Sequence, residues 1–113
     1  MINLAKLARL SEETYENYLK KQPKSHFLQS YSWGELAKIK KGLTPYYLGL
    51  VDDKKNILGT ALLLQKHLPL NYCYFYCPRG YVINYEDEKL VKEMTKEIIK
   101  FAKEHNVKTI FFE

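Results

Sequence analysis

The stretch "YCYFYCPRG", residues 72–80, decides how this chain folds. In extended backbone Tyr72, Tyr74 and Tyr76 share one face, and Cys73, Phe75 and Cys77 share the other. Pro78 ends the strand and Gly80 permits a tight turn. Downstream, "EDEKLVKEMTKEIIKFAKEH" (86–105) repeats Val91, Met94, Ile98, Phe101 and Ala102 at helical spacing. Asn106 stops that helix, and "VKTIFF" (107–112) reads as a last strand. A strand, a helical crossover and a second strand make a parallel, right-handed pair.

Upstream, "YYLGLV" (46–51) and "ILGTALLLQ" (57–65) flank the polar turn "DDKKN" and read as a hairpin. The second run is apolar on both faces, which marks a central strand. Gly59 within it signals a bulge or a close backbone approach. Two helices precede the hairpin. "SEETYENYLKKQ" has Ser11 as its cap, Glu12 and Glu13 at its positive end, and Lys20 and Lys21 at its negative end. Pro23 stops it. In "YSWGELAKIKKG", Ser32 and Glu35 have capping-box spacing, with Tyr31 and Leu36 at the staple positions. Gly42 is the expected stop, and Leu36 and Ile39 the expected apolar side. "INLAKL" (2–7) reads as a short first strand. The order predicts an α+β fold, a mixed sheet with helices packed on its faces, formed by one domain over 1–113.

Composition bounds the partners. The 113 residues are 46% hydrophobic and carry a net charge of +5, which suits anionic ligands such as phosphates or nucleic acid. Only Arg9 and Arg79 are arginines, and the lysines spread along helices as solvated faces do. No apolar run approaches the ~18 residues of a membrane span. The N-terminus lacks a signal-peptide pattern, so a cytoplasmic protein is expected.

Cys73 and Cys77 lie about 13 Å apart along a strand, too far for a disulfide within it. His26, His67 and His105 are scattered, so no metal set emerges. The cysteines read as small core residues, against redox or zinc chemistry. The tyrosine face reads either as covered by a helix or as a platform for stacking bases. Arg79 sits at a strand end, where ligands gather in α/β sheets. It is either a ligand's cation or a donor to loop carbonyls.

"FLQSYSWGELAK" (27–38) followed by "YFYCPRGYV" (74–82) resembles the start of the Fem-type (FemABX) peptidyltransferases, bacterial enzymes that build peptidoglycan cross-bridges. The resemblance covers roughly residues 25–113. It implies a GNAT-like fold, of which this chain would be the N-terminal half of the first domain. The implied chemistry is transfer of an amino acid from aminoacyl-tRNA to the stem peptide of a UDP-linked or lipid-linked precursor, without a cofactor or metal. Trp33, Lys38, Tyr76, Arg79 and Gly80 are the residues that the resemblance puts at the precursor. Lys38 and Arg79 are expected to bound one groove. Tyr81 departs from the family's second proline. No catalytic residue is identified, and the isolated chain is expected to be inactive and to self-associate through 107–112.

Two other readings remain. One is a CoA-dependent GNAT N-acetyltransferase, disfavoured because Glu86, Asp87 and Glu88 would repel a pyrophosphate at the helix start. The other is a non-catalytic module that binds nucleic acid or protein.

Overall fold

The computed structural model describes residues 5–23 and 25–112. Its spine is β3 (Ile57–His67), paired antiparallel with β2 (Thr44–Val51) on one side. On the other side β3 pairs with β4 (Cys73–Cys77) and with the two-residue β5 (Val82–Ile83). β1 (Lys6–Arg9) extends the sheet beyond β2, and β6 (Ile110–Phe112) lies parallel to β4. The strand order is β1-β2-β3-β4-β6, with β5 beside β3. The mixed α+β sheet and its parallel final pair are as expected.

β3 explains the layering. Ala61 and Leu63 enter one core, and Leu62 and Leu64 enter another. A strand apolar on both faces needs a covering layer on each. α3 (Glu88–Glu104) supplies one by setting Met94, Ile98 and Ala102 against Leu48, Leu50, Phe75 and Cys77. α1 (Glu12–Lys20) and α2 (Tyr31–Lys41) supply the other, placing Tyr15, Leu19 and Ala37 against Tyr47, Leu62, Leu64 and Val82.

Gly59 marks the expected bulge, and a side chain approaches it closely. Leu50 opposes Gly59 while Val51 opposes Ile57, so the register slips by one residue there. The Ile83 side chain also packs where a Cβ on Gly59 would stand, 2.9 Å from it. "DDKKN" turns through Asp52, whose carboxylate accepts from the N–H groups of Lys54 (2.9 Å) and Asn56 (2.8 Å).

Several boundaries differ from the sequence reading. The first strand sits at 6–9 rather than 2–7, and residues 2–4 lie outside the described residues. α3 begins two residues late, because the Asp87 carboxylate caps it by accepting from the Leu90 N–H at 3.1 Å. β6 spans three residues instead of six, since Val107 turns into the α3-side core.

The start of α2 needs a fuller correction. Ser30, not Ser32, is its cap: Oγ accepts from the Trp33 N–H at 3.1 Å. Glu35 is not available to a capping box, because its carboxylate accepts from the Tyr47 hydroxyl at 2.8 Å. Leu36 and Ile39 are exposed, and the helix instead faces the sheet through Gly34 and Ala37. Small residues there let the Tyr47 ring lie directly under the helix.

That packing sets a prediction. A methyl on Gly34 would meet Tyr47 ring carbons at 2.8 Å, and Tyr47 is buried between α2, Tyr15 and Tyr31. Gly34→Ala should therefore lower stability by about 1–2 kcal/mol despite alanine's better helix propensity. Chemical denaturation measures this; a stabilised variant would contradict the close approach.

Candidate functional site

The site is organised by a glutamine. A single 3-10 turn, Phe27–Gln29, leads into α2. Gln29 is 3% exposed, and its amide is fully used. Oε1 accepts from the His26 N–H at 2.7 Å. Nε2 donates to the carbonyls of Arg79 (3.2 Å) and Gly80 (3.3 Å), fifty and fifty-one residues away. Those carbonyls converge because Arg79 (φ 63°) and Gly80 (φ 73°) both take left-handed backbone. The side chain needs one acceptor and two donors at the end of a two-carbon arm, which among the amides only glutamine provides. The Tyr15 hydroxyl donates to the Gln29 carbonyl (2.5 Å), and the Glu16 carboxylate accepts from the Tyr31 N–H (2.6 Å). The blocks "FLQS" and "PRG" are thus one structural unit.

Two recesses adjoin this unit. The larger, about 1200 Å³, lies between α2 and the ends of β3, β4 and β6. Trp33 and Ala37 form one wall, and Leu64, Tyr74, Tyr76 and Phe111 line it from the sheet. Lys41 and Lys66 also line it, with the Lys41 ammonium 6.0 Å from the Trp33 ring centre. Tyr74 meets Phe111 edge to face at 5.1 Å. The smaller, about 350 Å³, is a cleft bordered by His26, Gln29, Arg79, Asn84 and Tyr85.

This geometry fixes the surroundings of both cysteines and of the tyrosine face. Cys77 is fully buried and Cys73 half-buried; both are free thiols. Burial pushes the Cys77 thiol up to about 12, so it stays protonated and is no nucleophile at neutral pH. Among the described residues no group of three or more His, Cys, Asp or Glu could hold a metal ion. The tyrosine face is only partly covered. Tyr76 packs against the α2-side core, whereas Tyr72 stays two-thirds exposed. Burial, followed by the bond to Glu35, raises the Tyr47 pKa, and burial raises that of Tyr15; both remain neutral donors.

Of the residues singled out from sequence, Trp33 and Tyr76 share the large recess, and Arg79 borders the small one. Gly80 lies in the clasped turn. Lys38 is exposed on α2 and lines neither recess, so the structure does not bring it and Arg79 to one groove. The lysines that do line the large recess are Lys41 and Lys66. Lys41 was legible, since Trp33, Ala37 and Lys41 recur every four residues on one helix face. Lys66 had no such signal, because its position depends on where β3 meets β4. Gln29 stood inside the quoted motif, but its role depends on a partner fifty residues away. Asp87 occupies the α3 N-terminus, where a CoA pyrophosphate would have to sit. No helix among the described residues is long and apolar enough to cross a membrane.

Comparison with known proteins bears on the family and the fold. Residues 10–113 match the FemAB family. Aminoacyltransferase FemA of Staphylococcus aureus (strain MW2) is 29% identical over 100 residues, which is 88% of this chain and 24% of that protein. The same enzyme of strain COL matches equally. The chain thus spans about a quarter of the length of these relatives. A crystal structure of FemX matches with a TM-score of 0.77 at 23% identity, over 90% of this chain and 25% of that one, which is a likeness of fold.

The clasp is testable. Gln29→Ala leaves the His26 N–H and two carbonyls without their partner and should cost about 2–4 kcal/mol. Gln29→Glu keeps the shape but sets a carboxylate against two carbonyls. Burial and those carbonyls raise its folded pKa, so its deficit should grow as pH rises through the carboxylate range. Urea titrations between pH 4 and 8 check both; a pH-independent Glu variant would refute the arrangement.

Proposed function

This chain belongs to the FemAB family, and we propose that it is the precursor-holding part of an aminoacyltransferase that builds peptidoglycan bridges. In this reading residues 1–113 form the N-terminal half of a first GNAT-like domain. The complete enzyme, acting in the cytoplasm, moves an amino acid from aminoacyl-tRNA to an amine of the precursor's stem peptide.

The observation that carries the reading is the large recess. Its volume exceeds the usual 300–1,000 Å³ of a compact small-molecule site and suits an extended ligand. Aromatic faces of Trp33, Tyr74 and Tyr76 suit base and sugar rings. Lys41 and Lys66 suit phosphates, as point charges on flexible stems. Lys38, exposed on the same helix, adds to the field that draws an anion in. None of these side chains supplies a nucleophile with an adjacent base, so group transfer falls to other parts of the complete enzyme.

Trp33 is the only tryptophan of the chain, so its fluorescence reports on the recess directly. A UDP-linked muropeptide should quench it saturably, and Lys41→Glu with Lys66→Glu should weaken binding at least tenfold. The same chain should transfer no amino acid from charged tRNA. Unchanged binding by the double variant would refute the site, and turnover would refute the division of labour.

We propose further that the chain self-associates near 107–112. β6 is last in the sheet order, and Phe111 and Phe112 are each half exposed. An unpaired strand edge beside exposed aromatics recruits other chains. Sedimentation at micromolar concentration should show dimers or larger species, which Phe112→Lys reduces. A monomeric wild-type chain would refute this.

A further inference from the structure

The geometry points to a second binding site, distinct from the large recess: the cleft beside Arg79 takes the terminal carboxylate of a short peptide. Arg79 is the starting point. It is a non-glycine residue in left-handed backbone (φ 63°), followed by a glycine with φ 73°. An L-residue with a long side chain is disfavoured there, and glycine would be the relaxed choice. Such strain persists only where surroundings impose it, and here Gln29 does so by taking both loop carbonyls. The strained turn does not serve the Arg79 side chain's own bonding. Among the described residues the guanidinium has no hydrogen-bond or ion-pair partner, and the loop carbonyls it would otherwise reach belong to Gln29.

The surroundings define the ligand. Among the described residues no aspartate or glutamate lines the cleft, so none of them neutralises the arginine there. His26 accepts the Leu28 N–H on Nδ1 at 3.1 Å, which leaves Nε2 as the N–H of the neutral ring. The Tyr85 hydroxyl donates to the Tyr81 carbonyl at 2.8 Å, and the Gly80 N–H is already bonded to the Cys77 carbonyl at 3.3 Å. Gly80's amide is thereby taken, which removes one backbone N–H from those a phosphate could use at this turn. What remains is a planar, fork-shaped donor, which matches a carboxylate bidentately. Pro23, Val82 and Ile83 complete the lining with apolar surface that suits small aliphatic side chains next to that carboxylate. At about 350 Å³ the cleft admits the last residues of a peptide and no more.

The test uses the full 113-residue chain, N-acetyl-dialanine, its C-terminal amide and inorganic phosphate, read by nuclear magnetic resonance at the Gly80 amide and the Arg79 Nε–H. The free acid should shift both signals saturably, with a dissociation constant on the order of millimolar, while the amide at equal concentration should not. Arg79→Gly is the decisive variant. It should lose binding yet raise the melting temperature by a few degrees, because it relaxes the turn. Arg79→Lys should bind several-fold more weakly than wild type. Lys41→Glu with Lys66→Glu should leave binding intact, which separates this site from the large recess. Equal shifts with acid and amide, tighter binding of phosphate at the same signals, or a lower melting temperature for Arg79→Gly would each overturn the assignment.

Discussion

The Gln29 side-chain amide is the constraint on which the rest of the structure depends. It joins the turn before α2 to the turn after β4 with three hydrogen bonds at a position almost closed to water. Hydrogen bonds in such surroundings are costly to leave unmade, so the two turns are coupled in position. Ser30, the very next residue, caps α2. The clasp therefore fixes where α2 begins, and with it where Trp33 stands over the sheet. At its other end it holds Arg79 in left-handed backbone. Both recesses thus take a wall from one interaction.

Beneath that clasp lies a sheet covered unequally. α3 seals one face along β2, β3 and β4. On the other face α1 and α2 reach only as far as Tyr76. The reason lies in α2, which approaches closely through Gly34 and Ala37 and sits down onto Tyr47 rather than spreading across β4 and β6. The ends of β3, β4 and β6 are left with aromatic side chains facing an open trough. A bulkier inner face on α2 would have lifted the helix and changed that opening.

Charge is distributed to match. Most of the +5 balance is carried by lysines scattered over helix surfaces, where solvent screens them. Lys41 and Lys66 differ because they share a recess with apolar walls, and Arg79 differs because its backbone is strained and its side chain has no partner among the described residues.

The sequence by itself determined the main helices and strands and their order, though not the two-residue β5 or the 3-10 turn at Phe27–Gln29. Alternation in "YCYFYC", apolar continuity in "ILGTALLLQ" and the helical spacing from Val91 to Ala102 are short-range signals, set by backbone geometry and read within one element. They carried the mixed sheet, its parallel final pair and the assignment of both cysteines to the core. The two motifs carried the family. The tertiary structure alone decided which residues meet. Ser30 caps α2 in place of Ser32, and Glu35 is held by Tyr47 from β2 instead of closing a capping box. Leu36 and Ile39 face solvent because the sheet lies under Gly34 and Ala37. Lys38 and Arg79 part company, and Lys41 and Lys66 come together, because α2's rotation over the sheet is set by contacts from residues far along the chain. Such contacts leave no periodicity to read, and Gln29 is the clearest case: its meaning lies in two carbonyls about fifty residues away.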